Sequence, residues 1–209
     1  MDSKNPNKFL TLAYLNIHGQ TKLTEAKQLQ IEDFLKYNNV DVAHLQETDI
    51  CDETFSACNF ISSTFNIITN NALNKYGTSS LVKTELSYEN VKCDTAGRAI
   101  TFDIGGITLG NFYAQSGTDA KSRASREKFC AEILPQLLTD SRPAGCIGGD
   151  WNCIVEKADA TAHPESKHSN SLKRVLKTFD MLDSFRLLHP KSEAFSRYYG
   201  DQGTWSNKD

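Results

Sequence analysis

Five polar side chains fall at or just past the ends of strand-like runs: Asn16, Glu47, Tyr113, Asp150 and Asn152. Strand ends expose side chains at a sheet rim while the buried strands below hold them still, so a site built there is well positioned. Glu47 offers a hard oxygen ligand suited to Mg²⁺, which keeps several waters and takes only one or two carboxylates. Asp150 and Asn152 stand two apart and can face the same side. An ionised Asp orients or deprotonates a water, and a neutral Asn amide donates to a phosphoryl oxygen. Tyr113 can donate to a developing negative charge. Each also has a plainer reading: Glu47 as a surface carboxylate beside Gln46, Asp150 as an Asx turn, Tyr113 as core filling. Gly148-Gly149 permits close approach by a ligand, or simply a tight turn. Residue by residue the plainer readings prevail, and the case rests on the set.

The elements that must position these residues are legible from periodicity. Leu10–Ile17 alternates apolar and polar residues as a strand, ending at His18-Gly19. Thr24–Tyr37 reads as a helix with Thr24 as N-cap and Leu29, Ile31, Phe34 and Leu35 as its apolar face. Val40–Leu45 forms a second strand leading into Gln46-Glu47-Thr48. Phe65–Thr69, Ser80–Lys83, Arg98–Ile104 and Ile107–Tyr113 are short β-branched or alternating runs, with turns expected at Asn70-Asn71 and Gly105-Gly106. Ser122–Leu138 is a helix with Phe129, Ile133, Leu134 and Leu137 inward, kinked or ended early by Pro135. Gly145–Gly149 is a strand, Ser169–Phe179 a third helix, and Gly203-Thr204-Trp205-Ser206 a turn entering another strand. Strands outnumber helices and largely follow one another as hairpins, which predicts one α+β domain over residues 1–209, an α/β sandwich of mixed sheets.

Composition narrows the function. The net charge is −3, from 23 basic and 26 acidic residues, so the chain lacks the basic surface of a non-specific nucleic-acid coat protein. An enzyme meeting a phosphate backbone through one patch is still allowed. No apolar run nears the ~18 residues of a membrane span, and no secretory h-region follows Met1. Six cysteines (Cys51, Cys58, Cys93, Cys130, Cys146, Cys153) show no C-x-x-C pair or zinc spacing and are expected to be reduced.

The ordered series L-N-I-H-G (15–19), Q-E-T (46–48), D-x-x-G-R-A-I (94–100), N-F-Y-A-Q (111–115) and G-G-D-W-N (148–152) resembles the endonuclease/exonuclease/phosphatase superfamily. G-T-S-S-L-V-K (77–83), R-x-x-R-E-K-F (123–129), D-S-F-R-L-L-H-P (183–190) and T-W (204–205) resemble the apurinic-like endonuclease domain of non-LTR (LINE-type) retrotransposons. The resemblance implies a deoxyribonuclease I-like fold of two packed mixed sheets flanked by helices. It implies that Glu47 holds Mg²⁺ (or Mn²⁺) with Asn16 beside it, that Asp150 aligns or activates water, and that Asn152 and Tyr113 steady the phosphate. The implied reaction is hydrolysis of a DNA phosphodiester, leaving a 3′-hydroxyl to prime reverse transcription. The implied partners are double-stranded DNA and a reverse transcriptase domain of the same polyprotein. Synthesis would be cytoplasmic and action nuclear, with no membrane. Ser116, Arg123, Arg126, Lys173 and Arg174 are candidate DNA contacts, set against the plainer reading of solvated helix faces.

The chain departs from the family in three places. Gln115 and Ser116 stand where a Pro and a further polar residue are usual, which puts the loop's shape in question. Asp159-Ala160 replaces a frequent D-R pair. None of the five histidines (His18, His44, His163, His168, His189) stands in the C-terminal S-D-H motif, nor is there a full S-R-x-D segment. The expectation is a truncated domain with weak nicking and unpaired edge strands. The competing readings are an abasic-site repair nuclease or other superfamily phosphodiesterase, and a catalytically silent DNA- or protein-binding module of the same fold.

Overall fold

The computed structural model describes residues 9–17, 25–48, 59–71, 77–139, 145–160, 167–192, 197–199 and 204–206. Two four-stranded mixed sheets pack face to face. The first holds β1 (Leu12–Asn16), β2 (Val42–Gln46), β3 (Phe65–Asn70) and β4 (Thr78–Lys83) in the order β1-β2-β4-β3. The second holds β5 (Glu89–Cys93), β6 (Ala99–Ile104), β7 (Ile107–Tyr113) and β8 (Gly145–Asp150) in the order β5-β6-β7-β8. The pairs β1–β2 and β7–β8 are parallel and the other pairings antiparallel. A short antiparallel pair, β9 (Arg197–Tyr199) and β10 (Thr204–Ser206), lies later in the chain. The predicted α/β sandwich is therefore the observed one.

Helices cover the outer faces. α1 (Glu25–Tyr37) and α2 (Asn59–Thr64) lie on the first sheet, where Ala13, Ile31, Leu35, Leu45, Ile61 and Leu81 share one core. On the second sheet, α3 (Ala120–Lys128) runs through a π-helical turn (Phe129–Ile133) into α4 (Leu134–Leu138). There Phe129, Leu134 and Leu137 pack with Phe112 and with Leu172 and Val175 of α5 (Asn170–Thr178). A short α6 (Ser184–Leu188) follows.

The sandwich interior is graded, because every second residue of a strand faces it. At one end Val42, Val82, Phe102, Ile104 and Leu109 form a dry core, which Ile100 extends to the level of Asn111. Two residues further along, the inward positions become Tyr14, His44, Ser80, Asn111 and Gly148, register neighbours within their sheets. Two residues beyond, at the rim, stand Asn16, Gln46, Thr78, Tyr113 and Asp150.

Several sequence expectations are corrected. Of the apolar face foreseen for α1, Ile31 and Leu35 are buried, but Leu29 is 52% and Phe34 38% exposed, so only the i, i+4 stripe meets the sheet. Pro135 does not end its helix, which continues to Leu138. The Leu134 N–H bonds to the Phe129 carbonyl, five residues back, so the ladder has already stepped aside before the residue that lacks an N–H. The same helix starts at Ala120 because the Asp119 carboxylate caps the Ser122 N–H at 3.0 Å. Asn70 is the last residue of β3 rather than a turn, and its amide clamps the Asp94 and Ala99 carbonyls. β5 escaped prediction because Glu89-Asn90-Val91-Lys92-Cys93 is polar, largely exposed and bulged against β6. The Gly105-Gly106 hairpin stands as expected, with φ of +57° and +87°. Cys93, Cys130, Cys146 and Cys153 are free thiols. Thr24, His18-Gly19, Cys51, Cys58, His163 and Gly203 lie outside the described residues.

Candidate active site

Ligands of open α/β sheets bind beyond the carboxyl ends of parallel strands. Both parallel pairs here end at the same rim. Asn16 closes β1, Glu47 follows β2, Tyr113 closes β7 and Asp150 closes β8. The five residues singled out by type thus come from two sheets and meet at one place.

Asn16 ties the two sheets together there. Its amide nitrogen donates to Glu47 Oε1 at 3.0 Å and to Asp150 Oδ2 at 2.7 Å. The two carboxylates are therefore no farther apart than those two bonds end to end. Both are largely withdrawn from solvent, Glu47 at 8% exposure and Asp150 at 1%. Two anions held this close repel strongly, more so at low local dielectric. A divalent cation at the carboxylates would offset that repulsion. The donor set, two carboxylates beside an amide, fits Mg²⁺ or Mn²⁺, which favour hard oxygen ligands. Among the described residues no group of three or more His, Cys, Asp or Glu is gathered for a metal, so the remaining ligands would be water and substrate oxygens, as Mg²⁺ prefers.

Backbone conformation sharpens the site. Glu47 has φ +54° and Asn152 φ +49°, a left-handed region uncommon for residues with a side chain and concentrated at functional sites. The Asn152 N–H donates to Asp150 Oδ1 at 3.0 Å and its side-chain amide donates to the Ala114 carbonyl at 3.0 Å. Asp150 thus makes the Asx turn of its plainer reading while its other oxygen faces Asn16. The two glycines before it serve the protein rather than a ligand. A Cβ at Gly149 (φ +132°) would lie 1.9 Å from the Phe112 carbonyl oxygen, and one at Gly148 would lie 2.7 Å from the Tyr14 ring.

Tyr113 is 1% exposed, and its hydroxyl donates to Ser116 Oγ at 3.4 Å. Burial raises its pKa well above that of a free phenol, Ser116 partly opposes this, and the charges of Glu47 and Asp150 add to it. The hydroxyl therefore stays protonated, a donor rather than a base. The loop after it is held by two arginines. Arg98 sits with its guanidinium carbon 5.5 Å from the Tyr113 ring centroid and donates to Gln115 Oε1. Arg126 donates to the Gln115 and Gly117 carbonyls, both at 2.7 Å.

Arg126 is thus a correction: at 4% exposure its guanidinium is spent on the loop's carbonyls and does not face a DNA backbone. Arg123 and Arg174 are exposed, Ser116 is half-buried, and Lys173 is paired with Glu156 at 2.7 Å. Asp159, without the Arg usual beside it in sequence, is paired instead with Arg186 of α6. Sequence reasoning missed Arg98 and Asn111 as supports of the site. Both stand inside quoted motifs, but nothing in a motif tells a buttress from a reactive group.

No family model matches the chain. Solved structures do. A 3′-5′ exonuclease from Neisseria meningitidis aligns with a TM-score of 0.74 and 19% identity, over 96% of this chain and 84% of that one. An AP endonuclease from Archaeoglobus fulgidus aligns at 0.72 and 18%, over 95% and 83%. A Neisseria 3′ phosphatase bound to a product DNA hairpin aligns at 0.70 and 19%, over 96% and 84%. At such identities the likeness speaks for architecture, and this chain has the deoxyribonuclease I-like fold of the AP endonuclease, exonuclease and phosphatase structures.

Proposed function

We propose that the chain is a metal-dependent DNA endonuclease domain that hydrolyses a phosphodiester and leaves a 3′-hydroxyl. The observation carrying this reading is the Asn16 amide bound to Glu47 and Asp150 at once, at a rim shared with Tyr113 and Asn152. Glu47, with Asn16 beside it, would hold Mg²⁺ or Mn²⁺. The bound ion would supply charge neutralisation at the phosphoryl and leaving oxygens. Asp150 accepts a proton from, or aligns, the attacking water. Tyr113, held protonated, donates to a non-bridging oxygen as charge builds there. Asn152, oriented by the Ala114 carbonyl, presents its amide to the same group.

Within that class we assign the chain to the endonuclease of a LINE-type retrotransposon. The motifs at 77–83, 123–129 and 183–190 support this branch. Double-stranded DNA is the substrate, a reverse transcriptase domain of the same polyprotein the partner, and the nucleus the place of action. The second reading, an abasic-site repair nuclease, is favoured by the AP endonuclease among the structural neighbours.

A supercoiled-plasmid nicking assay tests the proposal, run with Mg²⁺, with EDTA and with Asp150→Ala. Expected is metal-dependent relaxation, reduced at least about 100-fold by the substitution. Relaxation that is indifferent to EDTA would refute it. Parallel incubation with an abasic-site duplex separates the two readings, since a repair nuclease cuts there and spares intact plasmid.

A further inference from the structure

The site is assembled from two sheets, so its geometry depends on how those sheets are offset. Asn16 and Glu47 ride on the first sheet, and Tyr113, Asp150 and Asn152 on the second. Apolar packing between sheets is non-directional and tolerates repacking, so it fixes the offset poorly. Hydrogen bonds with fixed partners fix it well.

Asn111 and Gln46 make such bonds across the interface. Asn111, on β7 of the second sheet, donates from its side-chain amide to the Leu45 carbonyl of β2 at 3.0 Å and to the Ser79 carbonyl of β4 at 2.9 Å. Its oxygen accepts from Gln46 Nε2 at 2.8 Å, and Gln46 also donates to the His44 carbonyl at 3.2 Å. Asn111 is 0% and Gln46 1% exposed. Asn111 lies two residues before Tyr113 on the same strand face, and Gln46 is bonded to Glu47 through the chain.

We propose that Asn111 and Gln46 are positioning residues that lock the offset between the sheets, and with it the placement of Glu47 against Tyr113 and Asp150. An aliphatic side chain would fill this layer, but the sheets would then settle by volume alone. Misplacement of reacting groups by about 1 Å costs ~10²-fold in rate. The rate consequence rests on the nuclease reading above; the structural consequence does not.

Crystal structures and single-turnover nicking of Asn111→Leu and Gln46→Met test the inference, with Leu109→Ala as control. Leu109 lies two residues from Asn111 on the same face, in the dry core. For Asn111→Leu the Glu47-to-Tyr113 Cα distance is expected to change by about 1 Å, with kcat about 100-fold lower and KM for plasmid within about threefold. Gln46→Met keeps the bonds from Asn111 to the Leu45 and Ser79 carbonyls and is expected to lose about tenfold, which also covers the case in which Asn111→Leu fails to fold. Leu109→Ala lowers Tm but leaves kcat within about threefold. A folded Asn111 or Gln46 variant with unchanged sheet offset overturns the proposal, as does a kcat loss no larger than that of Leu109→Ala. Absence of nicking in the unaltered protein sinks the nuclease reading instead, and the crystal offset still decides this one.

Discussion

The two ends of the inter-sheet layer are built on opposite principles. At one end Val42, Val82, Phe102 and Leu109 exclude water with no polar partner to satisfy. At the other, His44, Ser80, Gln46 and Asn111 are just as buried yet polar, and they are tied to one another or to backbone carbonyls. Apolar burial contributes free energy and little positional information. A buried amide contributes little net energy and is costly if its partners are lost, so it favours one arrangement over its neighbours. The difference teaches that stability and catalytic geometry are held by separate halves of one layer, two to four residues apart along a strand.

Substitutions should separate the halves. The largest effect is expected in the dry half, where Leu109→Ala should cost about 2–5 kcal/mol by urea unfolding while sparing the turnover of whatever remains folded. A parallel loss of kcat would show that the halves are not separable. Next comes Gly148→Ala in the polar half, which forces a methyl group against the Tyr14 ring. Overpacking of this kind costs about 1–3 kcal/mol in stability, and here it should also impair nicking, because Asp150 is two residues away.

A further effect, comparable in size, depends on pH. Burial pushes the His44 pKa down to about 3, and its Nε2 has no hydrogen-bond partner. The unfolded ring titrates near 6.5, so the unfolded chain gains a proton that the folded one refuses. The contribution is therefore fully present above about pH 6.5 and is lost as pH falls toward 3, by about 1.4 kcal/mol per unit. His44→Gln should flatten that slope in denaturant titrations between pH 6.5 and 4, and an unchanged slope would remove His44 from the account. Smallest of all is the Lys173–Glu156 pair on the outer surface, whose side chains are 52% and 54% exposed. Lys173→Ala should move stability by less than about 1 kcal/mol. A clear fall in DNA affinity without a change in Tm would restore Lys173 as a phosphate contact.

Much of this arrangement was legible in the residues. The strand within Leu10–Ile17, the Gly105-Gly106 hairpin and the helical run over Ser122–Leu138 were readable because local periodicity reports which face is buried, but the start at Ala120 and the π-helical turn were not. Glu89–Cys93 was not, since an exposed edge strand carries no apolar signal. Arg126 was misjudged for a related reason. An arginine on a charged helix looks solvated, and only the loop folded against it shows that its donors are spent.

By itself the sequence determined the types of the reactive groups, their order and the strands that end at them, because those depend on residues adjacent along the chain. What only the tertiary structure decided is that Asn16, Glu47, Tyr113, Asp150 and Asn152 share one rim, and that Asn111 and Gln46 lie locked together beneath it. Such contacts join residues up to 134 positions apart. Their partners are chosen by the packing of two sheets, and no local pattern encodes that.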